Sequence, residues 1–348
     1  MNKIYSYLTS FLSLFIAVLE GNVCYQTFYH EAHPRLDKIV ESNLNVLQGH
    51  ASVYAFQQRV LPVWIIDYID KAFNVNFFDA NLIFYRLTFV IISFSIFLMC
   101  VVLHRNWKDN ILIVSSFNAI NMLTIHAGYW LLAFDMLNLL FVILMLCLFF
   151  YDFNEKYKLI LNALLFLLWQ VTFEEAIYIP LIYFFYYNNK NILQRKFFSV
   201  VIKKWNMILF ALIISSLKLN DHLRTYFSSG TLYKPKHTLF GQWWVFVENF
   251  ELAGKELKAL INPFSTLSDG YFWCQGAAIY FILTLYAFIN YDRKLFNCSE
   301  KYSTTLILFT IVSVITLAFA RIEETNTLLP MVAIVIALHA QTKTTKST

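Results

Sequence analysis

Apolar stretches of about 17–22 residues recur along the chain, the length an α-helix needs to cross about 30 Å of hydrocarbon. Runs such as Leu137–Tyr151 and Leu306–Ala320 are continuous, without the polar-apolar alternation of a transmembrane barrel strand. Composition closes the remaining route. With 59% hydrophobic and only 14% charged residues, 348 residues cannot hide their apolar surface in one soluble core. The chain therefore reads as an all-α, polytopic integral membrane protein, a single transmembrane domain over residues 1–348.

Predicted spans lie near 6–22, 83–103, 110–126, 130–151, 157–173, 176–188, 201–219, 272–290, 303–320 and 325–340. About ten spans put both termini on one side. The short connections after spans two, four, six and eight carry Arg105, Lys108, Lys156, Lys158, Lys190, Arg195, Lys196, Lys203, Lys204, Arg293, Lys294 and Lys301. Lysine and arginine in short loops mark the cytoplasmic side, so both ends are expected to be cytoplasmic. Two long outer segments result, at 23–82 and 220–271, and both are too apolar for free linkers. In the first, Val60–Ile69 form an apolar band ended by Asp67 and Asp70, as expected for an interfacial helix. In the second, Phe240, Trp243, Trp244, Phe246 and Phe250 form an aromatic belt of the kind that seats at the headgroup level.

The first span follows Lys3, as in a signal peptide. No A-x-A-like cleavage site follows it, so it reads as a retained anchor. The five cysteines make no metal spacing; Cys24 and Cys274 both fall outside, where a disulfide is chemically permitted. The net charge of +5 belongs to cytoplasmic anchoring residues and leaves no nucleic-acid footprint.

Four constellations carry chemistry, each with a plainer reading beside it. His30-Glu31-Ala32-His33-Pro34-Arg35-Leu36-Asp37 follows the first span. Glu31 and Asp37 are candidates for a general base, or with a histidine for holding a divalent cation; the plain reading is a solvated loop. Next, His50 precedes Arg59-Val-Leu-Pro62, where Arg59 enters an apolar helix. A guanidinium there can grip phosphate through two parallel hydrogen bonds, or simply anchor the helix. Thr172-Phe173-Glu174-Glu175-Ala176 places adjacent carboxylates at a tight turn between apolar segments, where they need water, a cation or a partner. Last, Arg321-Ile-Glu323-Glu324 precedes the final span: Arg321 can neutralise an anionic ligand while Glu323 or Glu324 orients it, or the three can cap the last helix. Asp135 is a further in-membrane acid, expected to face the bundle or a water cavity.

Taken together, these residues resemble the multi-spanning glycosyltransferases of the GT-C class, in which a first outer loop after span one carries an acidic catalytic residue. Here that loop carries Glu31 and Asp37, then Gly49, then Arg59-Val-Leu-Pro62; Phe173-Glu174-Glu175 and Arg321-Ile-Glu323-Glu324 match an acidic mid-chain turn and an Arg-Glu stretch before the last span. The class's Asp-x-Asp or Glu-x-Asp pair is missing, which leaves Asp37 and Glu31 as alternative bases.

The resemblance implies a polyprenyl-phosphate sugar donor, its lipid tail among the spans and its phosphate at Arg59 or Arg321. His50, Glu174, Glu175, Glu323 and Glu324 would complete the substrate site. Transfer would occur on the non-cytoplasmic face of a bacterial inner membrane, to a glycan, lipid or protein acceptor, in cell-surface glycan assembly. Two other classes fit the same layout. A polysaccharide polymerase or ligase would also need large outer segments bearing arginines. A transporter or flippase would need mid-membrane polar residues on several helices, for which Asp135, Asn118 and Asn121 are the sequence candidates.

Overall fold

The computed structural model describes residues 2–51, 59–103, 107–127, 131–152, 154–193, 204–228, 250–251, 276–319 and 328–346. Among them every regular element is a helix. Helix α1, Asn2–Ala32, is followed by a 3-10 turn at His33–Arg35, then α2 (Leu36–Leu47), α3 (Val60–Phe73), α4 (Phe77–Leu103), α5 (Trp107–Ala127), α6 (Ala133–Phe150) and α7 (Glu155–Gln170). A second 3-10 turn, Glu174–Ile177, leads into α8 (Tyr178–Leu193); α9 (Lys204–Tyr226), α10 (Gly276–Ile289), α11 (Arg293–Cys298), α12 (Glu300–Phe319) and α13 (Leu329–Lys346) are the remaining elements among the described residues.

Among the described residues four stretches are long and apolar enough to cross a membrane: Phe11–Leu47, Phe77–Leu103, Ala133–Phe150 and Glu300–Ala318. The other predicted spans also fall on helices, but on shorter or more polar ones. Ile279–Ile289 and Leu329–Thr342 are apolar and short, whereas α5 buries Asn110, Asn118 and Asn121.

The helix that holds the first predicted span runs on beyond residue 22. Helix α1 continues for 31 residues to Ala32, because its inward seam of Ala17, Gly21, Cys24 and Phe28 persists at helical spacing while Leu12, Phe15, Leu19 and Val23 face outward. Phe28 stacks on Tyr85 of α4 with ring centroids 4.6 Å apart. Gly21 is required: a Cβ there would lie 2.8 Å from Val90 Cα, inside the backbone of α4. Small residues that let helices approach this closely are a common device for helix pairing in lipid. Pro34, in the 3-10 turn after α1, lacks the backbone N–H that continued α-helix would need.

Helix α2 is amphipathic, with Leu36, Ile39, Val40 and Val46 buried while Asp37, Lys38 and Glu41 are exposed. Cys24 is a free, buried thiol directed at Asn118 Oδ1 3.6 Å away, and so does not serve the disulfide that the sequence permits; Cys274 lies outside the described residues. Most of the second long outer segment, including Phe240, Trp243, Trp244 and Phe246, also lies outside them.

Helix α6 is the hub. Nearly all its side chains are buried, against α3, α4, α7 and α13. Its C-terminal end meets the starts of α7 and α12, since Lys158 donates to the Phe149 carbonyl at 3.2 Å and Lys301 to the Phe150 carbonyl at 2.9 Å. Its N-terminal end meets the start of α3 and the α7–α8 turn.

Candidate functional site

Arg59 is the N-cap residue of α3 and is almost fully buried. The chain reaches this position by a cross-link: the Leu61 amide, in the first turn of α3 and without a partner in its own helix, donates to the Val171 carbonyl at 3.2 Å. That bond brings α3 onto the α7–α8 turn. The Arg59 guanidinium consequently lies over two rings, 3.8 Å from the Phe173 centroid and 4.5 Å from that of Phe134. The rings are 6.0 Å apart with planes inclined at 52°, which forms a corner for the cation. Stacking of this kind is worth about 0.5–2 kcal/mol and fixes the plane in which the N–H donors lie.

Glu175, two residues after Phe173, is half-buried on the 3-10 turn. Asn138 Nδ2 of α6 donates to its Oε2, and Trp169 Nε1 of α7 donates to Asn138 Oδ1 at 2.8 Å. The turn itself is tightened by the Thr172 and Phe173 amides, which donate to the Trp169 carbonyl at 2.9 and 2.7 Å. Gln170 joins it to α9, donating to the Ser216 carbonyl and accepting from Ser216 Oγ at 2.7 Å.

Asp135 is buried, as expected of an acid that faces the bundle. It stands in the first turn of α6, where its Oδ2 accepts from the Leu132 amide at 2.9 Å, as the positive end of a helix favours. Nearby, Tyr85 donates to the Leu131 carbonyl at 3.0 Å, and Asn43 of α2 to Asn81 Oδ1 of α4 at 2.7 Å. These bonds fix α2 and α4 to the same end of the bundle.

The structure thus brings together Arg59 and the 173–175 turn, from two separate sequence constellations. Glu31 is half-buried in the last turn of α1, and Asp37 is exposed in the first turn of α2. His50 is exposed just past α2, its amide donating to the Asn45 carbonyl at 2.8 Å. Glu174 opens the second 3-10 turn. Arg321, Glu323 and Glu324 lie outside the described residues. His33 packs edge-on against Tyr29, and among the described residues no three His, Cys, Asp or Glu side chains converge as metal ligands.

Asn138 and Trp169 were not singled out from sequence. A weak signal existed for the first: it follows Asp135 by one helical turn in an otherwise apolar run. A second network contains Asn118, a candidate from sequence, together with Glu20, Ser115 and Ser93, which were not. Glu20 of α1 accepts from Ser115 Oγ at 2.5 Å and from Asn118 Nδ2 at 2.9 Å, while Asn118 also donates to Ser93 Oγ and Ser93 to the Ala17 carbonyl. It ties α1, α4 and α5 together through polar groups within the bundle.

Comparison with known proteins finds no matching family model, curated protein or solved structure.

Proposed function

We propose that the chain is a membrane glycosyltransferase that moves a sugar from a polyprenyl-phosphate donor to a hydroxyl acceptor in cell-surface glycan assembly. It crosses a bacterial inner membrane about ten times, with both termini cytoplasmic and the Arg59 end outside. The observation that carries this reading is the buried guanidinium of Arg59, held over Phe134 and Phe173 beside the Glu175 turn. A cation oriented by rings at the rim of an apolar bundle suits a phosphate whose tail lies in lipid.

In this mechanism Asp37, or else Glu31, takes the proton of the acceptor hydroxyl as its oxygen bonds to the anomeric carbon. The bond from that carbon to the phosphate oxygen breaks, and the phosphate leaves with both electrons, stabilised by Arg59 and by Arg321. The exposure of Asp37 on an amphipathic helix is compatible with reaching an acceptor from the aqueous side.

Purified protein in proteoliposomes, supplied with radiolabelled polyprenyl-phosphate sugar, should pass label to an acceptor one residue at a time. Label moving in preassembled oligosaccharide blocks would assign the chain to the polymerases or ligases instead. Sidedness is tested by cysteine labelling from outside, which should reach replacements of Ser52 and Ser229 but not of Asn189 or Ser299. Outside labelling at Asn189 would reverse the orientation and with it the site.

Transport is the second reading, and the Glu20–Ser115–Asn118–Ser93 network favours it, since ionisable residues within a bundle often mark ion or substrate pathways. Counterflow of labelled lipid without covalent transfer would decide for it.

A further inference from the structure

Glu20, Ser93, Ser115 and Asn118 meet near the middle of three helices. Ser93 lies about ten residues before the end of α4 and Asn118 about ten after the start of α5, which is about 15 Å along each helix, or half of about 30 Å of hydrocarbon. Glu20 joins them because α1 runs on to Ala32, which sets this residue well inside its helix.

Bond directions in the network follow from its edge inward. Ser93 donates at 2.7 Å to the Ala17 carbonyl, which can only accept, so the Ser93 oxygen receives Asn118 Nδ2 at 2.8 Å. The Cys24 thiol approaches Asn118 Oδ1 from the other side. Asn118 therefore keeps its NH2 toward Glu20 Oε2, whatever the protonation of the acid. Oε1 differs, because it meets Ser115 Oγ and a hydroxyl can both donate and accept. An ionised Oε1 accepts the Ser115 proton; a protonated one donates to Ser115 Oγ after one rotation of that hydroxyl.

Both partners of Glu20 are neutral, and among the described residues no cation pairs with it. Cys24 points its thiol at Asn118, Arg86 of α4 donates to Asn22 Oδ1 at 3.0 Å and Tyr85 donates to the Leu131 carbonyl, while Lys108, Asp109 and His126 stand at the ends of α5. Neutral donors offset part of the cost of a charge taken out of water but supply no countercharge. A metal ion fits poorly, because the Asn118 NH2 points at both Glu20 and Ser93, where a hard cation needs oxygens. We propose that Glu20 is a proton-binding carboxyl within the bilayer, with the proton on Oε1 and directed at Ser115 Oγ. The inference goes beyond sugar transfer and does not depend on it.

Dicyclohexylcarbodiimide tests it on the full chain in proteoliposomes. The reagent partitions into lipid and reacts with the acid form: the carboxyl proton passes to a carbodiimide nitrogen as the carboxyl oxygen bonds to the central carbon, and the adduct rearranges to a stable N-acylurea. Glu20 is half-buried with exposed Leu19 and Val23 near it on α1, within reach of a reagent in lipid. At neutral pH, peptide mass spectrometry should find one carbodiimide on Glu20 in preference to the exposed Asp37 and Glu41, and little on Glu20 after a water-soluble carbodiimide. The label should fade as pH rises. Glu20→Gln should lose the label and keep its melting temperature at neutral pH, because its NH2 donates to Ser115 as the acid does and its oxygen still accepts from Asn118. Wild type should then melt below Glu20→Gln as pH rises through the range in which labelling fades, since stability held by a bound proton is lost there. Should the variant fail to fold, the labelling of wild type still decides. No label on Glu20 at any pH, or parallel melting of the two proteins at every pH, would overturn the inference. Label suppressed by sodium at constant pH would overturn it too, and would make the ligand a metal ion.

Discussion

The two ends of α6 treat charge in opposite ways. At its C-terminal end, Lys158 and Lys301 donate to the last carbonyls, and Lys301 also bridges Asp152 at 2.8 Å. Cations belong there, because the helix dipole leaves its C-terminus negative. At the N-terminal end Asp135 caps the helix, which follows the same rule, but Arg59 is buried beside it against the rule. A cation near the positive end of a helix gains nothing from that helix. It is kept by two aromatic rings, in the company of a carboxylate that has its own two-residue support. Helix termination explains the charges at the first end, whereas the second end also buries a guanidinium against two rings, which is why it is the candidate site.

The comparison is broken most severely through the base. Asp37→Asn keeps the size of the side chain but cannot accept a proton, and should lower turnover by about 10²-fold or more, with Glu31→Gln as its partner experiment. Near-full turnover in both variants would remove the first-loop mechanism. Next in size, Arg59→Lys keeps the charge but loses the planar grip and much of the stacking on Phe134 and Phe173. Affinity for a short-chain polyprenyl phosphate should fall about ten- to a hundredfold, the loss of a charged hydrogen-bonding partner. Equal affinity would reduce Arg59 to a helix anchor and make the two ends alike.

Trp169→Phe sharpens the comparison by testing support without touching ligand. It leaves the buried Asn138 oxygen without its donor and should destabilise the fold by about 1–3 kcal/mol in thermal unfolding. The smallest effect belongs to the other end. Lys301→Met should cost below about 1 kcal/mol and leave lipid binding unchanged, because Asp152 is exposed and its ion pair is screened by water. The hydrogen bond and charge of Lys301 lower the Asp152 pKa from its ordinary range. Its contribution is therefore present above the unfolded carboxylate value and lost as pH falls through the lower folded one. The melting-temperature gap between wild type and Lys301→Met should narrow on acidification across that window.

The helices were legible in the sequence because each predicted span is an apolar run, and apolar periodicity is a local signal. Their ends were less so. Helix α1 outruns its predicted span because Cys24, Phe28 and Ala32 continue a buried seam while Gln26 and His30 remain exposed. Hydropathy counts those polar residues against a span, although a helix leaving the bilayer tolerates them. The cap made by Asp135 and the network around Glu20 were not legible for a related reason: composition places an acid in an apolar stretch but does not say which groups it meets. The joining of Arg59 to Phe173 and Glu175 was not legible, since it depends on how α3 folds back onto a turn more than a hundred residues later in the chain. Each half carried its own local signal; their meeting is tertiary.

That fold-back also makes the surface helix a lever. Trp64 and Tyr68, 44% and 71% exposed on α3, are the residue types that settle at the headgroup level. The same helix begins at Arg59 and is clipped through Leu61 to Val171, just ahead of Phe173 and Glu175. Because α3 carries the guanidinium at its start and is bonded to the turn that bears the carboxylate, any displacement of this one short helix would move the surroundings of both charges together.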